Sequence, residues 1–514
     1  MFNKTIKLFF SLSFVCLFLY TPVFAQDKSW SEVLAINLKN VGPIYENEAV
    51  KGYYMFYEVE KKNRKTKRYL LQFLDNNLNV MAKEYITGSN HLSLIEGDYN
   101  GKNILLKFMD AKEKIYIYRQ YNTSAELISK TTKEYDPKLA SSASVGSGAI
   151  PVPNQGFANI EIVKNKKWGY EINFIPNKKG AKGWTYKSDV KSKAIESAGI
   201  IGANEEILLL LVSKIPKMMS KQVDTYLLGI DAKTGKKRFL NKMEDTKYNT
   251  AFSNLYVDKK SGELTLMGSY YDKSDRTSSN KSKGLCIYTM GADGEIISKK
   301  YLGWTKEIKK ILPVNKKGKL ADMGYMYFQS IFKTDDGRLF AVAEQYKKAA
   351  DALGITANIA SGLLRNVSTN MSGSQAQVED IMVLEFSSDQ ELVDVTVFEK
   401  NKSKLSLPAG STFTNMNALG HLVKYYGGFD FAFTQHHRDE DVFSFVFNDY
   451  DRKSKNWDLK SVTYADGEYV MDQMTLTSRK SDFILLQGKK GHVMVAEYDS
   501  KAKKLDMRLE KINF

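Results

Sequence analysis

Cysteine is almost absent from this chain of 514 residues, which carries only Cys16 and Cys286. Cys16 falls in an apolar leader, so Cys286 has no partner for an intramolecular disulfide, and the fold must be held by burial. Hydrophobic residues make up 43% of the sequence, enough for one large repeat fold or for two to three ordinary domains. Long apolar runs are missing beyond the leader. None reaches the roughly 18 residues that a bilayer-spanning helix needs, so no transmembrane segment is expected after the leader is removed.

Histidine is scarce as well. Of His91, His421, His436, His437 and His492, only His436 and His437 are neighbours, and adjacent residues on a strand point to opposite faces. Zinc needs about three convergent ligands, and no H-x-x-x-H or C-x-x-C spacing supplies them, so "QHHRDED" reads as a charged hairpin tip and no metal site is expected. A phosphate loop, a dinucleotide fingerprint and a G-x-S-x-G elbow are all absent. No cofactor and no catalytic residue can therefore be assigned.

The leader, "MFNKTIKLFFSLSFVCLFLYTPVFA", has Lys4 and Lys7, an apolar run through Leu19, and Val23-Phe24-Ala25 as a cleavage site. That pattern is a secretory signal over residues 1–25, with export to the periplasm or the cell exterior as its consequence. Phe14 and Val15 before Cys16 fit a lipid-attachment site poorly.

What the sequence has in abundance is a repeated hairpin. "TYLLGIDAKTGKKRFL", residues 225–240, is two apolar runs around a turn that opens with Asp231 and closes with Gly235. Relatives begin at Arg68, Lys114, Lys167, Gly284, Asp380, Asp441 and Gly491, giving eight copies. Each reads as two strands rich in Tyr, Phe, Ile and Val around a polar turn. Asp231 can hydrogen-bond the backbone two residues on, and Gly235 can take a positive φ, so the turn needs no ligand to explain it. A second hairpin precedes most copies, as in "YFQSIFKTDDGRLFAVAEQY" before Met382. The unit is thus four antiparallel strands, A to D. Eight such units without helices between them predict an all-β fold, a β-propeller of about eight four-stranded blades, with seven the next count. The chain beyond residue 25 then forms one propeller domain, and a monomer is expected.

Three places depart from regularity. The third copy is preceded only by "GFANIEIVKN", where two strands are needed. Just before it, residues 138–156 carry Ser, Gly and Pro and read as a flexible loop; splitting the chain there into two smaller β domains is the alternative fold. Residues 347–379 form an insertion in which Ala349, Leu353, Ala360, Leu363, Leu364 and Val367 share a helical stripe, predicting one short helix. An N-terminal strand, "EVLAINLK", is expected to pair with the final blade and lock the ring.

Formal charge is +16 over the sequence, a statement about partners rather than fold. In a propeller the B-to-C turns and D-to-A links share one face, and the A-to-B and C-to-D turns share the other. The predicted B-to-C turns, including residues 436–441 and 488–490 for the last two blades, sum to a strongly positive charge; the C-to-D turns are nearly neutral. The strongest element is "KKNRKTKR", residues 61–68, whose Lys61, Lys62, Arg64, Lys65, Lys67 and Arg68 form the candidate ligand-binding patch. Its expected partners are an anionic glycan, lipopolysaccharide or an acidic envelope protein. Nucleic acid is not expected, because a Lys-dominated surface attracts it only in a salt-sensitive, sequence-blind way.

Carboxylates are plentiful, and Asp335-Asp336 and Asp439-Glu440-Asp441 lie at predicted turns, so "TDDG" reads as turn chemistry. "YYMFY", residues 53–57, could stack sugars, but strand alternation places half of it in the blade interface, so a core role is expected. The export signal, the β repeats and the opening "KGYYMFYEVEKKNRKTKRYLLQFLDNNLNV" together resemble a group of secreted β-propeller-like proteins of unknown function from Bacteroidetes-type bacteria, a resemblance that carries over no site residue. "D-A-K-T-G" is similar to blade turns of quinoprotein dehydrogenases, which place Trp where this chain has Phe239. These readings imply an exported, non-enzymatic binding or scaffold protein. The alternative is a carbohydrate-active enzyme of the glycoside hydrolase kind, with paired carboxylates near the propeller axis.

Overall fold

Apolar runs separated by Asp-, Asn- or Gly-bearing turns pair as antiparallel hairpins along the whole computed structural model. It describes residues 26–512 except 47–48, 136–148, 166, 189–194, 217–222, 244, 259–260, 278, 322, 351–370, 409–414, 438–439 and 477–481. The hairpins assemble into eight sheets. Blades 1 to 7 span residues 41–89, 92–134, 149–187, 195–242, 248–303, 325–398 and 431–476, each in the order A-B-C-D; blade 8 takes 482–511 and Gln26–Trp30. The predicted eight-bladed propeller is what forms.

The hairpin at residues 225–240 is strands C and D of blade 4, Asp224–Asp231 and Lys237–Lys242. Asp231 Oδ1 accepts from the Lys233 and Thr234 amides at 3.1 and 2.8 Å. Gly235 closes the turn at φ +72°. The same glycine is also an interlock. A Cβ there would lie 2.6 Å from the Trp184 ring of blade 3, whose Nε1 donates to Ala232 O at 2.9 Å. One blade further on, Gly294 sits at φ +80° against the Phe239 ring, and a Cβ would meet it at 2.5 Å. Phe239 thus docks its blade onto the next.

Face-to-face packing explains why the inner strands are apolar on both sides. In strand B of blade 1, Tyr53, Met55 and Tyr57 face the blade 8 side, while Tyr54 and Phe56 face blade 2; all five are buried. "YYMFY" is core. The free thiol Cys286 is buried between blades 4 and 5.

Four expectations change. The missing strand of blade 3 is Ala149–Val152, which pairs with Gly156–Asn165 and lies inside the segment read as a flexible loop; the rest of that loop, up to residue 148, lies outside the described residues. The ring is closed by Gln26–Trp30 paired with Lys504–Lys511, not by "EVLAINLK", which contributes only an isolated bridge from Ala35 to Glu58. The helical stripe falls mostly on residues 351–370, outside the described residues. Its described flanks are strands instead, with Ala350 paired to Ser374 and Lys347 to Gln377, and Ser403–Pro408 joins them as a fifth strand. Among the described residues the one α-helix is Met416–Tyr425, between blades 6 and 7, capped by Asn415 and burying Leu419, Gly420 and Val423.

The fourth change concerns the last two repeats, which slip by one strand. The hairpins starting at Asp441 and Gly491 are strands B and C of blades 7 and 8. Residues 466–467, Asp-Gly with φ +53° and +87°, tie Asn456–Ala465 to Glu468–Leu476 and make the latter strand D of blade 7. That leaves blade 8 one strand short, and the N-terminus supplies it.

Candidate functional site

The slip redistributes charge. His436 and His437 end strand A of blade 7 instead of forming a hairpin tip, and Glu440, Asp441 and residues 488–490 lie in A-to-B turns, on the lower face opposite the upper face of the B-to-C turns, so their assignment to the B-to-C face is corrected. The true B-to-C turns there contain Arg452, Lys453 and Lys455 in blade 7 and Lys501 and Lys503 in blade 8, all exposed. Glu440 and Asp441 leave the upper face together with Lys489 and Lys490, so its gain in positive character comes from the five basic residues of the true turns.

The patch at residues 61–68 divides in two. Lys67 and Arg68 enter strand C, where cross-strand register sets Arg68 opposite Glu60. Lys67 Nζ contacts Glu58 Oε2 at 2.5 Å, and Arg68 lies 3.6 Å from Glu60 and 4.0 Å over the Tyr85 ring. Both are partly buried and neutralised. Lys61, Lys62, Arg64 and Lys65 are exposed at the hairpin tip. The tip is fixed at its backbone: Asn90 donates from N to Lys65 O at 3.0 Å and from Nδ2 to Arg64 O at 3.2 Å. Next to it, the blade 2 turn offers Lys114, while Lys112 pairs with Glu113 of the same turn at 3.1 Å. On the other side the blade 8 turn is joined through Val33 N to Lys503 O at 3.0 Å and Leu34 N to Glu58 O at 2.9 Å. Basic side chains of blades 8, 1 and 2 thus share one stretch of rim.

The axis holds a cavity of about 710 Å³ lined by inner-strand residues of several blades, among them Tyr45, Tyr256, Ser330, Thr434, His436 and Gln487. Of the adjacent histidines, His436 lies 5.6 Å ring to ring from Phe332. Among the described residues no group of three His, Cys, Asp or Glu is placed to hold a metal. "TDDG" makes a turn: Thr334 Oγ1 donates to Asp336 at 2.6 Å, Arg338 binds the same carboxylate, and Gly337 has φ +88°.

Sequence reasoning missed two arrangements. Glu96 and Asp98 stand two residues apart on the inner strand Leu92–Tyr99, hence on one face of it. Burial, with Glu96 beside it, pushes the Asp98 carboxyl up to about 7. The second is a buried triad, in which the Lys400 ammonium meets Asp430 and lies 3.5 Å from Glu344. The triad residues are far apart in the chain and carry no local signal; the helix Met416–Tyr425, which sequence reasoning also missed, does have one in its Asn415 cap and the spacing of Leu419 and Val423.

The sequence matches the model of a family of unknown function, DUF6770, over residues 4–513. The chain belongs to that family. No curated protein is similar to it in sequence. Solved structures of similar architecture include the WD40 domain of SCAP from fission yeast, at 7% identity and a TM-score of 0.36 over 94% of this chain and 95% of that one. Another is the β-propeller domain of the Trilobed protease from Pyrococcus furiosus, at 13% identity and 0.32 over 60% and 82%. A prolyl endopeptidase is similar at 8% identity and 0.39 over 88% and 54%, so the chain spans about half of its length. Among the described residues no helix is long and apolar enough to cross a membrane.

Proposed function

We propose that this protein is an exported, non-enzymatic binding or scaffold module that contacts anionic glycans or envelope components through its basic upper rim. The observation that carries the reading is the hairpin tip, where Lys61, Lys62, Arg64 and Lys65 are exposed on a backbone tied down at Asn90. A fixed cluster of cations binds a polyanion with less loss of freedom than a loose tail, and neighbouring Lys114, Lys501 and Lys503 extend its reach.

The test is binding to an immobilised acidic polysaccharide and to lipopolysaccharide across a salt series. Exchanging the four tip residues for Gln should weaken binding by at least about tenfold at low salt and flatten the salt dependence, because fewer counterions are released. Exchanging Lys67 and Arg68, already paired with Glu58 and Glu60, should change it little. Equal affinity for the tip variant and the parent would remove the patch from consideration.

A second reading, a carbohydrate-active enzyme, is favoured by Glu96 and Asp98 alone. Two carboxyls share one face of an inner strand, and burial raises both, with Glu96 adding to the rise that takes Asp98 to about 7, where a carboxyl can serve as an acid. Hydrolysis of a glycan by the parent and its loss in Asp98→Asn would establish it.

A further inference from the structure

We infer that the axial cavity is a second binding site, opening on the lower face, for a basic peptide segment that carries one aliphatic side chain. Among the described residues, the inner strands of blades 4 and 5, Ile195–Ala203 and Tyr248–Val257, are the most weakly packed neighbours around the ring. Both carry a bulge, at Ile200/Gly202 and at Phe252/Asn254. The cavity enters the wedge between them, where Ile207 and Leu209 of one blade face Leu255 and Val257 of the other. A Cβ on Gly202 would reach Val257 only at 3.5 Å, so the glycine leaves the wedge open.

The opposite wall carries polar side chains, His436 among them. Ser330 and Thr434, from blades 6 and 7, hold their hydroxyls 3.2 Å apart, and Gln487 comes from blade 8. At the lower rim stand the carboxylates of Glu205, whose Oε1 accepts from Asn154 Nδ2 at 2.8 Å, and Asp258, whose Oδ1 accepts from the Ser261 amide at 2.8 Å. An apolar wedge takes an aliphatic group out of water, hydroxyls and amides satisfy peptide N–H and C=O groups, and carboxylates select ammonium or guanidinium ions. The volume is that of a ligand site. A sugar ring would need an open aromatic face. Phe332 and Tyr256 are 3% and 8% exposed, Phe332 lies 3.8 Å from the Phe443 ring, and the Tyr256 hydroxyl donates to Lys333 O at 3.3 Å. Only Tyr45 leaves its ring accessible among these three.

The probes are two fluorescein-labelled tetrapeptides, Arg-Leu-Ala-Lys and its acidic counterpart Glu-Leu-Ala-Glu, followed by anisotropy on the full protein. The basic peptide should bind saturably and at least about tenfold more tightly than the acidic one. Gly202→Leu, which fills the wedge, should weaken it by about tenfold or more, and Glu205→Gln should reduce the preference for the basic peptide. Thr434→Val, which keeps the shape and removes one hydroxyl, gives a second reading should Gly202→Leu fail to fold; about a threefold loss is expected. The upper-rim variants should leave peptide binding unchanged, so this site and the proposed polyanion surface can fail separately. No saturable binding, equal binding of both peptides, indifference to both cavity variants, or capture of an uncharged oligosaccharide in place of the peptide would each overturn the inference.

Discussion

Replacing Lys400 by Met would remove the one cation that stands between two carboxylates at the junction of blades 6 and 7. The side chains of Lys400 and Glu344 are fully buried and that of Asp430 is 12% exposed. Burial alone would lower the Lys400 ammonium, but Asp430 and Glu344 outweigh it and hold it above the usual lysine range. Burial pushes the Glu344 carboxyl up to about 7, against the pull of Lys400 and with a further push from Asp430. Without the lysine, Glu344 keeps the amides of Asp430 and Phe431 at 3.0 and 3.2 Å, and Asp430 keeps Ser403 Oγ at 2.7 Å. Those hydrogen bonds do not neutralise a charge, so the loss should be about 3–5 kcal/mol near neutral pH.

The pH dependence has a definite sign. Native Glu344 holds its proton more tightly than the unfolded chain does, so stability falls as pH rises from about 4.5 to about 7. The raised lysine contributes throughout this range and is lost only in strong alkali. In Lys400→Met the carboxyl rises further, the window moves upward, and the deficit is smaller at about pH 5 than at about pH 8. Urea unfolding followed by circular dichroism at both pH values measures it. A deficit under about 1 kcal/mol at the higher pH, or one equal at both, would refute the account of this triad as a buried, coupled charge site.

Two other outcomes follow from the ring. Deleting residues 26–30 removes the strand paired with Lys504–Lys511 and the Ser29 hydroxyl bond to Asp506; at about 1 kcal/mol per hydrogen bond the loss should be roughly 3–5 kcal/mol, read as a lowered melting temperature with early proteolysis in blade 8. Trp184→Ala should destabilise by about 2 kcal/mol, and Gly235→Ala should also destabilise, since it brings a methyl onto the Trp184 ring at a positive φ. Because the two share one contact, the double variant should fall short of their sum; strict additivity in thermal melts would show that blades 3 and 4 do not interlock there.

Much of the fold was legible because hairpins are local. Asp231 and Gly235 announce their turn, "YYMFY" announces a strand buried on both faces, and eight such units leave a closed ring as the arrangement that hides every sheet. The net positive charge and the basic run at residues 61–68 are likewise read from contiguous residues, whereas the split of that run into four exposed residues and the paired Lys67 and Arg68 came from the tertiary structure. What the sequence could not decide is which hairpin belongs to which blade, since A–B, B–C and C–D pairs look alike until neighbours are fixed. The assignment of the last two repeats turned on Gln26–Trp30, a strand that finds its partner some 480 residues away by closing the ring. The same distance rule hid the Lys400 triad and the wedge between blades 4 and 5; Glu96 and Asp98 are neighbours on one strand, and what the sequence could not show of them is their burial near the axis. Short-range order specifies turns and strands through backbone geometry and alternating burial; charge networks and cavities arise only where separate blades meet, and their positions are set by packing.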